Sequence, residues 1–240
     1  HRNQGRSPKH QYLELMTLNG DSDQANGKPR AILFDWDNTL VDSWPTIIDA
    51  LNVTLEAYGK TPWTMDEARA RVRKSMRDSF PELFGDQWRQ AGEVFYERYA
   101  AIHVERLQPL PGAEEMLKSL VDAGIHLSVV SNKKGDFLRQ ESKHLGWDRY
   151  FGVLVGALDA EKDKPAIEVV ELALAPSGIE KGPDVWFAGD ADIDLECAYK
   201  AGCMPILIRE HPPGPGELDS HPPAKHFPNC DALCKYIDTM

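Results

Sequence analysis

The sequence predicts an α/β protein with a three-layer core, built on a mainly parallel sheet and interrupted by an inserted helical segment. Short apolar runs rich in strand formers alternate with helical patterns along most of the chain, which is typical of βαβ units. Residues 44–109 break this alternation, because only helices are predicted there. With 240 residues, 42% of them hydrophobic, the chain can bury one large core or a core with an insertion.

Strands and helices are predicted from these patterns in turn. The strands of the sheet are expected at residues 31–36, 126–131, 152–157, 184–190 and 204–210. The helices between them are expected at residues 112–124, 134–146, 164–175 and 192–202. Three of these helices end in glycine, at Gly124, Gly146 and Gly202, and glycine at that position suits a left-handed helix cap.

The remaining segments set the domain boundaries. Residues 44–109 are predicted to form a helical module with helices over 45–58, 65–76 and 87–107, and the α/β core is assigned to 30–43 and 110–240. Residues 1–29 are polar and are expected to be an N-terminal tail, disordered or partly derived from a tag. Prolines in residues 211–223 forbid a helix or a central strand, so a surface loop is expected there, followed by a short helix near Asn229.

Composition disfavours several classes of partner. Lys and Arg number 27 against 38 Asp and Glu, for a net charge of −11, which argues against binding to nucleic acid or to an anionic membrane. No apolar run approaches the roughly 20 residues that span a bilayer, and a cytoplasmic location is expected. The four cysteines, at positions 197, 203, 230 and 234, have neither a disulfide-framework nor a zinc spacing. Reduced thiols are therefore expected, and carboxylates are the expected ligands of any metal.

The first candidate site is a pair of carboxylates, Asp35 and Asp37, at the end of the first predicted strand. Carboxylates behind a hydrophobic strand cost core stability unless they are used. Ligands of open α/β sheets bind outside the carboxyl ends of the strands. The alternative is a turn in which Asp and Asn form local hydrogen bonds.

Two weaker signals follow later strands. Ser131 and Asn132 lie at the end of the second predicted strand, where a hydroxyl, an amide and backbone N–H groups can cradle a phosphate, or can simply cap a helix. Lys164 precedes Pro165 at the expected first turn of a helix, where proline is tolerated. From there its ammonium could point back at the strand ends, although it could also be a solvated surface lysine, and Lys162 is a rival for the same role.

The fourth signal is acidic. Asp190 ends the fourth predicted strand and Asp194 lies four residues further on, near one face of the first turn of the next helix. Carboxylates crowded at a strand end repel each other, and a hard cation such as Mg²⁺ is the natural compensation. Capping of the helix N-terminus by aspartates is the alternative.

Taken in order, the four motifs resemble those of the haloacid dehalogenase-like (HAD) hydrolase superfamily, over about residues 31–209. The helical module after the first motif resembles the cap of that superfamily, and the core resembles its Rossmann-like sheet. The runs DWDNTLVDSWP, Ser131-Asn132-Lys133 and PLPGAEEML are most similar to members of the phosphoglycolate-phosphatase type. This resemblance implies a Mg²⁺-dependent phosphomonoester hydrolase.

The resemblance also implies residue roles. Asp35 is the nucleophile that forms an aspartyl-phosphate, and Asp37 is the general acid and then the general base. Ser131 and Lys164 neutralise the phosphoryl oxygens. The implied phosphate-binding set is Asn38, Thr39, Ser131, Asn132 and Lys164. The implied metal set is Asp35, Asp37 through its backbone carbonyl, Asp190, and Asp194 as a ligand or as a partner of the ligands. Asn38 stands where glycine is common in the superfamily, but asparagine tolerates unusual backbone angles.

A basic cluster in residues 68–77 suggests how the substrate is selected. Lys74, Ser75 and Arg77 are predicted at the end of a helix, before a break at Pro81, as contacts to the substrate. The guanidinium of Arg77 would suit a carboxylated leaving group, and phosphoglycolate is the first candidate. The alternative is a solvated face in which Arg71 pairs with Glu67.

Two other functions remain open from the sequence: a sugar-phosphate phosphomutase of the same superfamily, and a non-catalytic protein that binds a phosphate or a partner on this scaffold. The expected partner is a small phosphorylated metabolite, and the expected state is a monomer or a homodimer.

Overall fold

Six parallel strands form the central sheet of the computed structural model, which describes residues 27–72 and 75–240. The strands, in chain order, are β1 (Ala31–Phe34), β2 (Val41–Asp42), β3 (Gln108–Pro109), β4 (His126–Lys134), β5 (Leu154–Ala157), β6 (Val185–Gly189), β7 (Met204–Ile208) and β8 (Lys225–Phe227). The sheet order is β5-β4-β1-β6-β7-β8, with every neighbouring pair parallel. The five predicted strands are confirmed, and β8 adds an edge strand that the sequence does not predict.

Nine α-helices are described around and beside this sheet. They are α1 (Trp44–Ala57), α2 (Met65–Arg71), α3 (Met76–Phe84), α4 (Trp88–Ile102), α5 (Ala113–Asp122), α6 (Gly135–Leu145), α7 (Glu168–Leu174), α8 (Asp192–Ala201) and α9 (Cys230–Asp238). Gly124, Gly146 and Gly202 all have positive φ angles, of 77°, 68° and 71°. The predicted glycine caps are therefore confirmed.

The central strand β1 shows why the core has three layers. All four of its residues are fully buried, and alternate side chains of a strand point to opposite faces. Ile32 and Phe34 belong to the apolar cluster that contains residues of α5, α6 and α9. Ala31 and Leu33 belong to the cluster that contains residues of α7 and α8. Helices thus cover both faces of the sheet, as predicted.

The helices α1 to α4, here called the helical module, lie between β2 and β3. These two short strands pair antiparallel, with Val41 opposite Pro109 and Asp42 opposite Gln108, so the chain leaves and re-enters the core at one place. The module has an apolar cluster of its own, built on Leu51, Leu55, Phe80, Phe84 and Ala91. The sequence predicts the helical character of this segment but not the two strands at its base.

The prediction for residues 65–84 is wrong in one respect. A single helix over 65–76 and a break at Pro81 are expected, but α2 ends at Arg71 and α3 continues through Pro81 to Phe84. Phe80 and Phe84 are buried and their ring centroids lie 5.0 Å apart, so aromatic burial favours the helix despite the proline. Ser75 and Arg77 consequently stand at the start of a helix rather than at its end.

Outside the sheet and the module, two more expectations have a clear outcome. Residues 211–223 contain neither a helix nor a strand, and α9 follows with Asn229 as its N-cap, whose side chain accepts a hydrogen bond from the Ala232 backbone N–H at 2.9 Å. Residues 1–26 of the predicted tail lie outside the described residues. Among the helices of the described ranges, none combines the length and the apolar character that a bilayer crossing requires.

Candidate active site at the carboxyl ends of β1, β4 and β6

The register of the sheet brings three of the sequence motifs to one edge. Phe34, the last residue of β1, is paired with Val129 of β4 on one side and with Ala188 of β6 on the other. Asp35, Ser131 and Asp190, which lie one or two residues beyond these paired positions, therefore come side by side at this edge. The strand order reverses on either side of β1, and such a point is where open α/β sheets bind ligands.

Asp35 is buried at this edge and is held by Lys164. The Nζ atom of Lys164 lies 2.7 Å from Oδ1 of Asp35 and 2.7 Å from Oδ1 of Asp194, and Lys164 is only 3% exposed. Burial raises the pKa of Asp35 to about 7, and the Asp194 and Asp37 carboxylates add to this rise, while Lys164 opposes it. The Lys164 ammonium is therefore shared by the Asp35 and Asp194 carboxylates, and carboxylates outnumber cations around it.

Asn132 positions Lys164 through the backbone. Its Oδ1 accepts a hydrogen bond from the Lys164 backbone N–H at 2.9 Å, and its Nδ2 donates to the Lys164 carbonyl at 3.3 Å. Lys164 is followed by a cis peptide bond to Pro165. The prediction that Lys164 lies in the first turn of a helix is wrong, because both of its backbone groups pair with Asn132 and α7 begins only at Glu168.

Asp37 faces the same space and is held by a different lysine. The Nζ atom of Lys133 lies 2.6 Å from Oδ1 of Asp37, and the Ser43 hydroxyl donates to the same oxygen. Asn38, which follows Asp37, has a φ of 62°. This is an unusual backbone angle of the kind that asparagine is expected to tolerate. Asn38 closes the turn, because its backbone N–H donates to the Val41 carbonyl at 2.7 Å.

Lys133 leads to a buried polar network that sequence reasoning missed. Its Nζ lies 2.5 Å from Oε2 of Glu141, and Glu141 also accepts from Trp36 Nε1 at 2.7 Å and from the Tyr99 hydroxyl at 3.1 Å. His103 Nδ1 lies 2.8 Å from Oε1 of Glu141. Burial opposes the charge of Lys133, but Asp37 and Glu141 raise its pKa well above the ordinary value. No sequence spacing points to this network, because its members come from the turn after β1, the helical module, β4 and α6.

Three carboxylates form the acidic part of the site. Oxygen atoms of Asp35, Asp190 and Asp194 lie within 4.8 Å of one another. Burial, and then the Asp194 and Asp35 carboxylates, raise the pKa of Asp190 well above its usual value. Thr39 Oγ1 donates to Asp190 Oδ1 at 3.4 Å. Crowded oxygen donors of this kind suit a hard divalent cation such as Mg²⁺.

Asp194 also has a structural role. Its Oδ2 accepts a hydrogen bond from the Ala191 backbone N–H at 3.1 Å, so it caps the start of α8 while its other oxygen holds Lys164. A Cβ atom on Gly189 would lie 2.3 Å from the Asp194 carboxyl group, which explains the glycine at the end of β6. Asp194 therefore caps the helix, as the alternative predicts, and it also lies among the other candidate site residues.

A cavity of about 500 Å³ opens from these groups towards the helical module. Its polar lining contains most of the predicted site residues: Asp35, Asp37, Asn38, Ser131, Asn132, Lys164, Asp190 and Asp194. Thr39 is buried beside Asp190, and Ser131 Oγ accepts from the Lys133 backbone N–H at 3.1 Å. The core motifs predicted from separate parts of the sequence thus meet in one space.

The described residues of the helical module that the sequence predicts as substrate contacts lie outside this cavity. Arg77 Nε lies 2.5 Å from Oδ2 of Asp163, and Ser75 is buried with its hydroxyl donating to Asp78 at 3.0 Å. Neither residue lines the cavity. Lys74 lies outside the described residues. Arg71 Nη2 lies 3.7 Å from Glu67 Oε1, as the solvated-face alternative predicts for that pair.

Comparisons with known proteins identify what this chain resembles. The family model of the haloacid dehalogenase-like hydrolases matches residues 32–208. A phosphoglycolate phosphatase of Xylella fastidiosa is 32% identical over 198 residues, which cover 80% of this chain and 84% of the relative. Pyrophosphatase PpaX of Halalkalibacterium halodurans is 28% identical, over 74% of this chain and 82% of the relative. The crystal structure of a predicted phosphatase from Clostridium acetobutylicum superimposes with a TM-score of 0.78 at 24% identity, covering 89% of this chain and all of that one.

Proposed function

The chain belongs to the haloacid dehalogenase-like hydrolase family, and from this premise we propose that it is a Mg²⁺-dependent phosphomonoester hydrolase that works through an aspartyl-phosphate. One observation carries the proposal. Asp35 and Asp37 leave the same strand end, each is bonded to its own lysine, and both line one cavity. The reaction needs two carboxylates with different tasks, and these two carboxylates have different surroundings.

In the first step an Asp35 oxygen attacks phosphorus, and the bond from phosphorus to the leaving oxygen breaks. Asp35 must be ionised to attack, and Lys164 Nζ at 2.7 Å supports the charged form against its burial. Asp37 gives its proton to the departing alkoxide oxygen. The Ser131 hydroxyl and the Lys164 ammonium stabilise charge on the phosphoryl oxygens, because positioning and charge stabilisation supply most of phosphoryl-transfer catalysis.

In the second step Asp37, now ionised, takes a proton from water while the water oxygen attacks phosphorus. The bond between phosphorus and the Asp35 oxygen breaks, and phosphate and the original carboxylate are released. Lys133 and the Ser43 hydroxyl hold Asp37 in place for both proton transfers. Asn132 acts through Lys164, whose backbone it holds on both sides.

The donor set fits Mg²⁺. Asp35, Asp190 and Asp194 offer oxygen atoms within 4.8 Å of one another, and the pKa values of Asp35 and Asp190 are raised by burial first and then by the neighbouring carboxylates. Asp35 and Asp190 are the proposed carboxylate ligands, together with the backbone carbonyl of Asp37, while Asp194 orients Lys164. When bound, the ion supplies positive charge against the phosphoryl oxygens. The helical module is proposed to act as the cap over this site.

The test is turnover of an aryl phosphate with Mg²⁺, followed by EDTA. Wild-type protein should release phosphate, and EDTA should abolish the release. Asp35→Asn is nearly isosteric and should fold normally but lose turnover, whereas the exposed control Asp136→Asn should retain it. Asp37→Asn should still form some acyl-phosphate from a substrate with a good leaving group. Substantial activity of Asp35→Asn would refute the covalent mechanism.

A further inference from the structure

The space beside the catalytic carboxylates is much larger than a phosphoryl group requires. The cavity measures about 500 Å³, which lies within the range of roughly 300–1,000 Å³ found for pockets that enclose drug-sized ligands. A cavity of this size, continuous with Asp35 and Asp37, is therefore expected to receive the part of the substrate beyond the phosphate.

The wall that faces this part of the substrate is mostly apolar, with Ser79 and Glu82 among its polar members. It is supplied mainly by the helical module, where α1 and α3 contribute Trp44, Ile47, Leu51, Met76, Phe80 and Leu83. Aromatic rings of α4 and α6 continue the same surface, among them Phe95 and Phe137. Apolar walls of this kind favour a leaving group that buries hydrocarbon or ring surface.

The cations along the described part of this wall are already engaged. Lys133 is bonded to Asp37 and Glu141, and Lys164 to Asp35 and Asp194. Lys134 Nζ lies 5.1 Å from the centre of the Tyr96 ring. Arg71 lies 4.6 Å from the centre of the Trp63 ring and is paired with Glu67. A carboxylate on the leaving group would have to compete with these contacts, and Glu82 adds an anionic group to the same wall.

We propose that this cavity selects phosphomonoesters with a large, uncharged and apolar leaving group, rather than the carboxylated two-carbon substrate that the sequence suggests. The inference rests on the proposed phosphatase function, since it names the substrate class of that same site. The phosphoryl group is bound by the core, and discrimination comes from hydrocarbon surface buried against α1, α3 and α4.

Primary alkyl phosphates test the inference in the wild-type protein. Their leaving groups have nearly the same basicity, so a change in kcat/KM along the series reports burial rather than intrinsic reactivity. From ethyl to hexyl phosphate, each methylene should raise kcat/KM by about fourfold, which corresponds to about 0.8 kcal/mol of transfer free energy. Benzyl phosphate should exceed ethyl phosphate, and 2-phosphoglycolate should fall below it.

A matched pair of variants on α1 locates the effect. Ile47 lines the cavity, whereas Val53 of the same helix is 38% exposed and does not line it. Ile47→Trp should flatten the series by filling the space that longer chains occupy. Val53→Trp adds the same side chain elsewhere on the helix and should leave the fourfold step per methylene unchanged. Equal slopes in the two variants would overturn the assignment of the selective surface to this cavity.

Two outcomes separate this inference from the proposed function. Hydrolysis of ethyl phosphate with a flat or falling series, or a preference for 2-phosphoglycolate, would overturn the inference and leave the phosphatase function standing. Failure to hydrolyse any ester would overturn the function. In that case, binding of ethyl- and hexylphosphonate, measured by thermal shift, decides the inference: tighter binding of the hexyl compound supports it and equal binding refutes it.

Discussion

Arg77 and Asp163 form an ion pair between the helical module and the core, with 2.5 Å between Nε and Oδ2. The Asp163 side chain is almost fully buried and Arg77 is 29% exposed. Asp163 also accepts a hydrogen bond from the Leu158 backbone N–H at 3.0 Å, and it is the neighbour of Lys164 in the chain. The contact therefore connects the first turn of α3 to the loop that carries Lys164, the proposed catalytic lysine.

This contact predicts how Arg77→Ala will behave. The variant should lose about tenfold in kcat/KM on a carboxylated and an uncharged ester alike, because it loosens the module against the core instead of removing a contact to one substrate. A tenfold loss corresponds to about 1.4 kcal/mol, a reasonable value for a half-buried ion pair. The exposed Arg69→Ala should change neither rate. A loss confined to the carboxylated ester would restore Arg77 as a substrate contact.

Magnesium should stabilise the fold, because it relieves repulsion among carboxylates that only the folded chain brings together. At a hundred times its dissociation constant a ligand adds about 2.7 kcal/mol, or about 5–10 °C in Tm for a chain of this length. Asp190→Asn should abolish most of this shift in a thermal melt. Asp192→Asn, on the adjacent helix α8, should retain it. An unchanged shift in Asp190→Asn would place the ion elsewhere.

Glu141→Gln should destabilise the protein in a pH-dependent way. Burial alone would raise the pKa of Glu141, but Lys133 and the surrounding donors lower it below its ordinary 4.5. As pH falls, Glu141 is therefore protonated in the unfolded chain before it is protonated in the folded protein. The stability that the Glu141 charge contributes is complete above pH 4.5, and it is lost as pH falls through the lower pKa of the folded state.

Denaturant unfolding measures this effect. Near pH 7, Glu141→Gln should cost about 3–5 kcal/mol, because a buried ion pair loses one partner. The difference from wild type should shrink below pH 4.5. Glu115→Gln, an exposed change on α5, should have little effect at either pH. A cost for Glu141→Gln that does not vary with pH would mean that shape, and not charge, accounts for it.

Thiol reactivity should distinguish one cysteine from the other three. Cys197, Cys203 and Cys230 are buried, and burial raises the pKa of Cys203 and of Cys230 to about 12. Cys234 is partly exposed. An aromatic disulfide reagent should label one thiol in the native protein and all four in denaturant. Cys234→Ser should remove the native reaction, and rapid labelling of Cys197 would contradict the burial of α8 against the sheet.

The positions of five strands along the chain, their parallel arrangement and the edge that carries the candidate site could be predicted from the sequence because they depend on local patterns, whereas the order of the strands within the sheet could not. Hydrophobic periodicity locates β1, β4 and β6, and the carboxyl ends of neighbouring parallel strands must lie together. Gly124, Gly146 and Gly202 end helices because glycine readily adopts the left-handed conformation of a helix cap, which depends only on the last turn of the helix. Asp35, Asp37, Ser131, Lys164 and Asp190 could be named for the same reason, since each follows or faces a strand end.

Only the tertiary structure decided which side chains hold these groups and which residues line the cavity. Glu141 meets Trp36, Tyr99 and Lys133 across long separations in the chain, and Arg77 meets Asp163 rather than the substrate space. Lys164 leaves the predicted helix because Asn132 competes for its backbone groups. Local patterns record the preferences of neighbouring residues, whereas partner choice and cavity shape follow from how whole elements pack, and that is settled only when the chain has folded.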